Sequence, residues 1–350
     1  MKVRIVCYED VHSWIIGKFA LKMEEHLLEL GHEVSIAKTA DDEADINHHL
    51  IYRGYSMEST GIQTLMITHV DSTKKINLVK KQLTVADMGI CMSAETVNML
   101  ANLGVPREKL SYVNPAHDGI IKPRKLVLGL TCRVQKDGRK REFFLNDLAK
   151  LIDPQIFSFK IMGDGWDEQI EVLRSYGFDV EWDESFNYDK YVKLIPSLDY
   201  YIYMGMDEGQ MGFVDAVAAG IKTIVTTQGY HLDAKNGITH GFSNYEELKS
   251  ILLKINNDKL AQMEGVASWN WLDYTKKHID IWEYLIAKKQ NSTFKYIEKS
   301  YADGVSSINE FTKNVVDFNK IKAIKDYSKL FIGKLKHSYY GSKNKRKKKF

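Results

Sequence analysis

Cysteine and proline are both scarce: three cysteines (Cys7, Cys91, Cys132) and five prolines in 350 residues. The cysteines are odd in number, far apart and without C-x₂-C spacing, which excludes a disulfide framework and gives no sign of a structural metal. So few prolines, with 23 glycines, exclude a collagen-like or proline-rich chain. There is no apolar run of 18 residues, so no transmembrane helix is expected. The start, MKVRIVCYED, reaches an acid too soon for a secretory signal. There is no solenoid repeat, and no G-x-G-x-x-G follows the first strand, which counts against an NAD or FAD dehydrogenase. Apolar residues at 44% and charged residues at 27% are ordinary globular usage and exclude a wholly disordered chain. The expectation is a soluble, cytoplasmic protein large enough for two domains.

The charge is unevenly placed. Residues 321–350 carry eleven Lys/Arg against the single acid Asp326, a net +10, which leaves about −7 on residues 1–320 of a chain whose total is +3. Ile321, Ile324, Leu330, Phe331 and Leu335 are spaced along one helical stripe among lysines. A basic amphipathic helix of this kind suits an anionic membrane surface. No nucleic-acid-binding module accompanies it, so nucleic acid is not expected as a partner.

Strands and helices alternate through the body. Val3–Cys7, Glu33–Ala37, Leu50–Tyr52, Thr64–Thr68, Gly89–Met92 and Leu110–Val113 read as strands in the first half. Phe19, Met23, Leu27, Leu28 and Leu30 mark a helix stopped by Gly31, and Ala94–Leu103 marks another. In the second half Leu126–Thr131, Phe157–Met162, Val180–Trp182, Tyr200–Tyr203 and Thr223–Thr226 read as strands. Helices are expected at Glu142–Leu151, Gln169–Tyr176, Asp189–Pro196, Met211–Ala219 and Tyr245–Lys254. The pattern predicts an α/β fold of two Rossmann-like doubly wound domains facing a cleft, with a helical basic C-terminal extension. The expected division is 1–118, 119–267, a crossing helix at 268–285, and the extension 286–350.

Three segments hold residue types suited to anions and hydroxyls. Gly17 opens a helix after a strand, where backbone N–H groups can approach a phosphate. Residues 130–142 (LTCRVQKDGRKRE) follow a strand and bring Arg133, Lys136, Arg139, Lys140 and Arg141 to its carboxyl end, where cations would neutralise a pyrophosphate. Residues 205–220 (GMDEGQMGFVDAVAAG) crowd Asp207, Glu208, Gly209 and Gly212 into a strand-to-helix turn, with Asp215 on the helix beyond. Plain turn, capping and solvated-loop roles compete at each position.

The last segment resembles the acid-x₇-acid motif of retaining GT-B glycosyltransferases of family 4, whose usual form is E-G-x-G-x-x-x-x-E-A-x-A-x-G. Counting back from Gly220 pairs Asp207 with Asp215. Matching the Glu-Gly dipeptide selects Glu208, the preferred register, with a spacing one residue shorter. I-G-K-F with E-L-G-H-E-V, A-D-M-G-I-C-M-S-A-E-T, the G-D-G-W turn at 163–166 and S-W-N-W-L-D-Y-T-K-K-H at 268–278 extend the likeness over residues 3–285. The Arg133-x₆-Lys140 spacing is closest to the polysaccharide rhamnosyltransferase-type subgroup.

The resemblance implies transfer of a sugar from a nucleotide diphosphate sugar to a glycan or lipid-linked glycan, with retention and no metal or other cofactor. No D-x-D, the metal-binding mark of GT-A enzymes, occurs in the chain. Arg133 and Lys140 would steady the leaving diphosphate and Glu208 the donor sugar. Gly17, Gly163, Gly165, Gly209, Gly212, Asp207, Asp215 and His231 would line the donor site, with Asp215 on the ribose. His69, with His48 and His49 as competitors, would face the sugar from the first domain. A sugar-nucleotide epimerase on the same fold and a degenerate GT-B binding protein are the rival expectations.

Overall fold

The chain is described here from a computed structural model covering residues 1–56, 60–135 and 137–291. Lys136, the 321–350 stripe and the extension past residue 291 lie outside the described residues. Two compact units form: Met1–Asp118 joined by the chain from Trp269 onward, and Gly119–Ser268.

In the first unit, β1 (Lys2–Val6), β2 (Glu33–Ala37), β3 (Ile46–His49), β4 (Ile62–Ile67), β5 (Met88–Cys91) and β6 (Leu110–Tyr112) make one parallel sheet in the order β2-β1-β3-β4-β5-β6. Parallel strands covered on both faces must be buried throughout, and all the residues of β3, β4 and β5 are. α1 (Ile15–Glu29) buries Phe19, Ala20, Met23 and Leu27, and Gly31 past its end takes the left-handed φ of +80° that stops it. α2 (Thr73–Leu83) is capped by Ser72 and α3 (Ala94–Asn102) by Ser93.

Strand β3 departs from the sequence reading, which expects Leu50–Tyr52, and α2 and the second-unit strand His240–Phe242 have no counterpart in it. Three of the four residues of β3, Asn47, His48 and His49, are polar yet buried, and each side chain has at least one fixed partner. Asn47 closes the Asp41 turn with two hydrogen bonds of 2.7 and 3.0 Å. His48 Nδ1 meets Thr64 Oγ1 at 2.9 Å, and His49 Nε2 meets Gln63 Oε1 at 2.8 Å. Paired polar groups can sit where hydropathy alone would not put them.

The second unit contains β7 (Leu126–Leu130), α4 (Phe144–Leu148), β8 (Phe157–Met162), α5 (Asp167–Ser175), β9 (Asp179–Asp183), α6 (Tyr188–Leu194), β10 (Tyr200–Tyr203), α7 (Met211–Ala218), β11 (Lys222–Thr226), β12 (His240–Phe242) and α8 (Tyr245–Glu264). All six strands are parallel, ordered β12-β11-β10-β7-β8-β9. Counted from β7 this is the 3-2-1-4-5-6 order of a Rossmann sheet. The α/β class and the two doubly wound sheets are as expected. The helix expected over Glu142–Leu151 is shorter, and α8 runs ten residues past Lys254.

After α8 the chain returns to the first unit as α9 (Trp271–Lys289), capped by Asn270, whose Oδ1 accepts from Asp273 N at 2.8 Å. Trp271, Tyr274, Ile281, Trp282 and Leu285 are buried in the core that holds Phe19 and Met23. Trp271 donates from Nε1 to Asp118 at 2.7 Å, and its ring meets Phe19 edge-on at 5.0 Å. Among the described residues no helix is long and apolar enough to cross a membrane.

Candidate functional site

In a doubly wound sheet, ligands bind beyond the carboxyl ends of the strands at the point where the strand order reverses. In the second unit that point lies between β7 and β10, which pair in parallel while the chain visits β8 and β9 between them. Three loops leave there: Thr131–Arg141 after β7, Gly163–Trp166 after β8, and Met204–Gln210 after β10.

The β7 and β8 loops lie against each other at glycine. Gly163 has φ +137° and Gly165 φ +88°, and a Cβ on Gly163 would run into Cys132 O. Val134 N donates to Asp164 O at 2.9 Å, and the fully buried Trp166 donates from Nε1 to Cys132 O at 2.7 Å. The same closeness recurs at Gly212 in the first turn of α7, where a Cβ would meet Thr131 Oγ1 and the Tyr201 hydroxyl. Gly209, at φ +127°, lies under the ring of Tyr230.

On this frame sits a cluster of Lys140, Tyr203 and Asp207. Lys140 Nζ donates to Asp207 Oδ2 at 2.8 Å and to the Tyr203 hydroxyl at 2.6 Å, and it lies 4.8 Å from the centre of the Tyr203 ring. That hydroxyl donates in turn to Asp207 Oδ1 at 2.5 Å. The Lys140 side chain is only 10% exposed and that of Asp207 20%. Partial burial works against an ionised Asp207, but the bonds from Lys140 and Tyr203, the lysine charge and Gly209 N–H outweigh it and hold the carboxyl below its usual range. Burial, then the bond to Asp207, push the Tyr203 phenol up, so it stays protonated as a donor. Arg139 Nε lies 3.9 Å from Asp207 and 3.7 Å from Asp137, and Arg133 pairs with Asp164 at 3.2 Å on the exposed rim.

Of the two carboxylates in question, Asp207 is the one joined to Lys140. The exposed Glu208 side chain makes no hydrogen bond among the described residues, although its carbonyl accepts from Tyr230 N at 3.0 Å. Asp215 stands apart from the cluster on the exposed side of α7, accepting from the Tyr191 hydroxyl at 2.5 Å. Burial first and then this carboxylate push the Tyr191 phenol up. His231 is wholly buried with both ring nitrogens taken: Nδ1 lies 3.0 Å from Thr226 O, and Nε2 accepts from Gln210 N at 3.0 Å. It therefore holds the Gly209–Gln210 turn, as a neutral ring whose pKa burial lowers.

The first-unit candidates are placed within their own unit. Gly17 is the third residue of α1, and the Val11 backbone fills the place of its missing Cβ. His69 is exposed at φ +53°, its carbonyl accepting from Lys75 Nζ at 2.9 Å. His48 and His49 are buried in β3. Tyr203 and Gln210 belong to the second-unit site and were not expected. Gln210 Nε2 donates to Thr131 O at 2.7 Å, tying the β10 loop to the β7 loop. A tyrosine ending a strand just before paired acids is the signal that would have found Tyr203. Among the described residues, the one metal-ligating trio within 4.8 Å is Glu25, His26 and Glu29 on α1. There Lys22 already holds Glu25 at 2.6 Å.

No family model matches the chain, and no curated protein does. Among solved structures it is similar to sucrose-phosphate synthase from Thermosynechococcus elongatus (TM-score 0.37, 10% identity, covering 82% of this chain and 99% of that one). It is also similar to Anabaena HepE in complex with UDP and glucose (TM-score 0.35, 11% identity, 81% and 100%). A third is the apo form of the lipopolysaccharide outer core galactosyltransferase WaaB (TM-score 0.34, 13% identity, 83% and 100%).

Proposed function

We propose that this chain is a retaining glycosyltransferase that moves a sugar from a nucleotide diphosphate sugar to a glycan or lipid-linked acceptor without a metal. The observation that carries this reading is the Lys140–Tyr203–Asp207 cluster at the switch point of a Rossmann sheet, walled by loops that pack at Gly163 and Gly212.

In glycosyl transfer the bond from the anomeric carbon to the leaving oxygen breaks through an oxocarbenium-like state, and charge builds on the departing group. Here that group is a diphosphate. Lys140, aimed by Tyr203, and Arg133 on the rim stabilise it. Glu208, whose carboxylate is unengaged among the described residues, takes a donor-sugar hydroxyl, and Asp215 takes the ribose. The first unit takes the acceptor, and the basic residues of 321–350 favour an anionic surface.

The test is binding and slow hydrolysis across UDP-, GDP- and dTDP-sugars, comparing wild type with Lys140→Ala and Asp215→Ala. One donor bound and hydrolysed, with both losses on substitution, supports the reading. Release of a free epimer points to an epimerase instead, and no binding by any donor removes the assignment.

A further inference from the structure

The loop after β7 contains a cation that the proposed reaction does not use. Arg141 is 8% exposed. Its Nε donates to Met204 O at 2.5 Å and its Nη1 to Ser243 O at 3.1 Å. Its guanidinium carbon lies 5.2 Å from the centre of the Phe144 ring and 5.9 Å from that of Phe242. Its backbone has φ +50°, an unfavourable left-handed conformation for a long side chain.

The other described cations of the loop all have carboxylates: Arg133 has Asp164, Arg139 has Asp137 and Asp207, and Lys140 has Asp207. Arg141 pairs with no carboxylate among the described residues. Glu142, next in the chain, does not pair with it, and Glu142 Oε2 is itself buried without a partner. A guanidinium does not lose its proton in proteins, so this charge is permanent. Leaving a buried charge unneutralised is costly, and two carbonyls and two ring faces offset the cost only in part.

We propose that Arg141 is the standing positive charge of the donor site, a positioning residue that ties the ends of β10 and β12 together while drawing the diphosphate toward Lys140. This rests on the reading of the site as a nucleotide-diphosphate site. Lys140 and Asp207 cancel each other, which leaves Arg141, among the described cations of this loop, as the source of net attraction for an arriving dianion. A charge in a poorly screened interior acts over about 10 Å, farther than its hydrogen bonds reach.

The test compares wild type with Arg141→Gln and Arg141→Lys. The ligands are whichever of UDP, GDP and dTDP binds wild type, its parent nucleoside, and inorganic pyrophosphate. Arg141→Gln should weaken the diphosphate and pyrophosphate about tenfold or more, the size expected for one poorly screened charge. It should leave the nucleoside within about threefold, and Arg141→Lys should keep most of the diphosphate preference. Equal losses for nucleoside and diphosphate would make Arg141 a purely structural tie and overturn the proposal. So would an unchanged diphosphate affinity in Arg141→Gln. Should Arg141→Gln fail to fold, loss of the diphosphate preference in a folded Arg141→Lys would overturn it equally, and retention would support it. Wild type that binds pyrophosphate but no nucleotide would end the transferase reading, with Arg141 still judged on pyrophosphate. Wild type that binds neither would end both.

Discussion

Lys140 Nζ stands 2.8 Å from Asp207 Oδ2, with the Tyr203 hydroxyl touching both. The lysine charge is thus spent on its own chain, and an incoming phosphate must compete with Asp207 for it. Asp207→Asn keeps an acceptor but removes the competing charge. It is expected to tighten nucleoside diphosphate binding by about three- to tenfold. Lys140→Met should weaken the same binding by at least about tenfold, and it takes the nearest cation from a half-buried carboxylate at a cost of about 1–3 kcal/mol in stability. Calorimetric titration reads both, and weaker binding in Asp207→Asn would show that Asp207 helps hold the ligand instead.

Glu208 is predicted to act on the sugar and not on the diphosphate, since among the described residues its exposed carboxylate has no partner. Glu208→Gln should lower donor-sugar hydrolysis by about a hundredfold, in line with loss of a hydrogen bond made to the reacting group. Nucleoside diphosphate affinity should stay within about twofold. A reversed outcome, with binding lost and hydrolysis kept, would assign the sugar contact to Asp207.

The sheet was largely legible because buried parallel strands are rich in apolar residues: Tyr200–Tyr203, an unbroken apolar run, matches to the residue, as does Phe157–Met162, where Ser158 and Lys160 alternate with buried apolar side chains. β3 was not, because its burial rests on side-chain pairs from Thr64 and Gln63 that only the fold brings together. α2 escaped the pattern reading although Ile76, Val79 and Leu83 are spaced for one buried face, because lysines separate them. In the site, the cations after a strand could be read, as could the acids before a helix. Which acid meets Lys140 depends on the path of the Met204–Gln210 turn, and this is set by distant partners: Arg141 at Met204, and His231 at Gln210.

Acid should loosen the first unit through α9. His278 is fully buried, its Nδ1 spent on Tyr274 O at 2.9 Å and its Nε2 without a partner, and burial pulls its pKa down to about 4. The ring of His48 lies 5.0 Å away, and burial followed by the His278 charge holds His48 well below its usual value. A folded pKa below the unfolded one means that the unfolded chain binds the extra proton. Stability is therefore full above about pH 6.5 and falls as pH drops toward 4, on the order of 3 kcal/mol for His278 alone. Urea denaturation at several pH values should show this slope, and His278→Phe should reduce it by about one proton. An unchanged slope would sink the assignment.

The packing of the β7 loop on the β8 turn yields the last prediction, which separates steric closeness from backbone freedom. Gly163 and Gly138 both have positive φ, +137° and +70°. At Gly138 no described residue lies within 4 Å of the place a methyl group would take, whereas at Gly163 the Cys132 carbonyl occupies it. Gly138→Ala therefore meets only the left-handed penalty, about 1 kcal/mol. Gly163→Ala adds displacement of the Cys132–Val134 backbone, which also accepts the Trp166 indole N–H, and should cost about 3 kcal/mol or more. Because that backbone begins the loop leading to Lys140, Gly163→Ala should also weaken nucleoside diphosphate binding, while Gly138→Ala should not. Equal stability losses in urea would mean that the two loops are not held in contact as described.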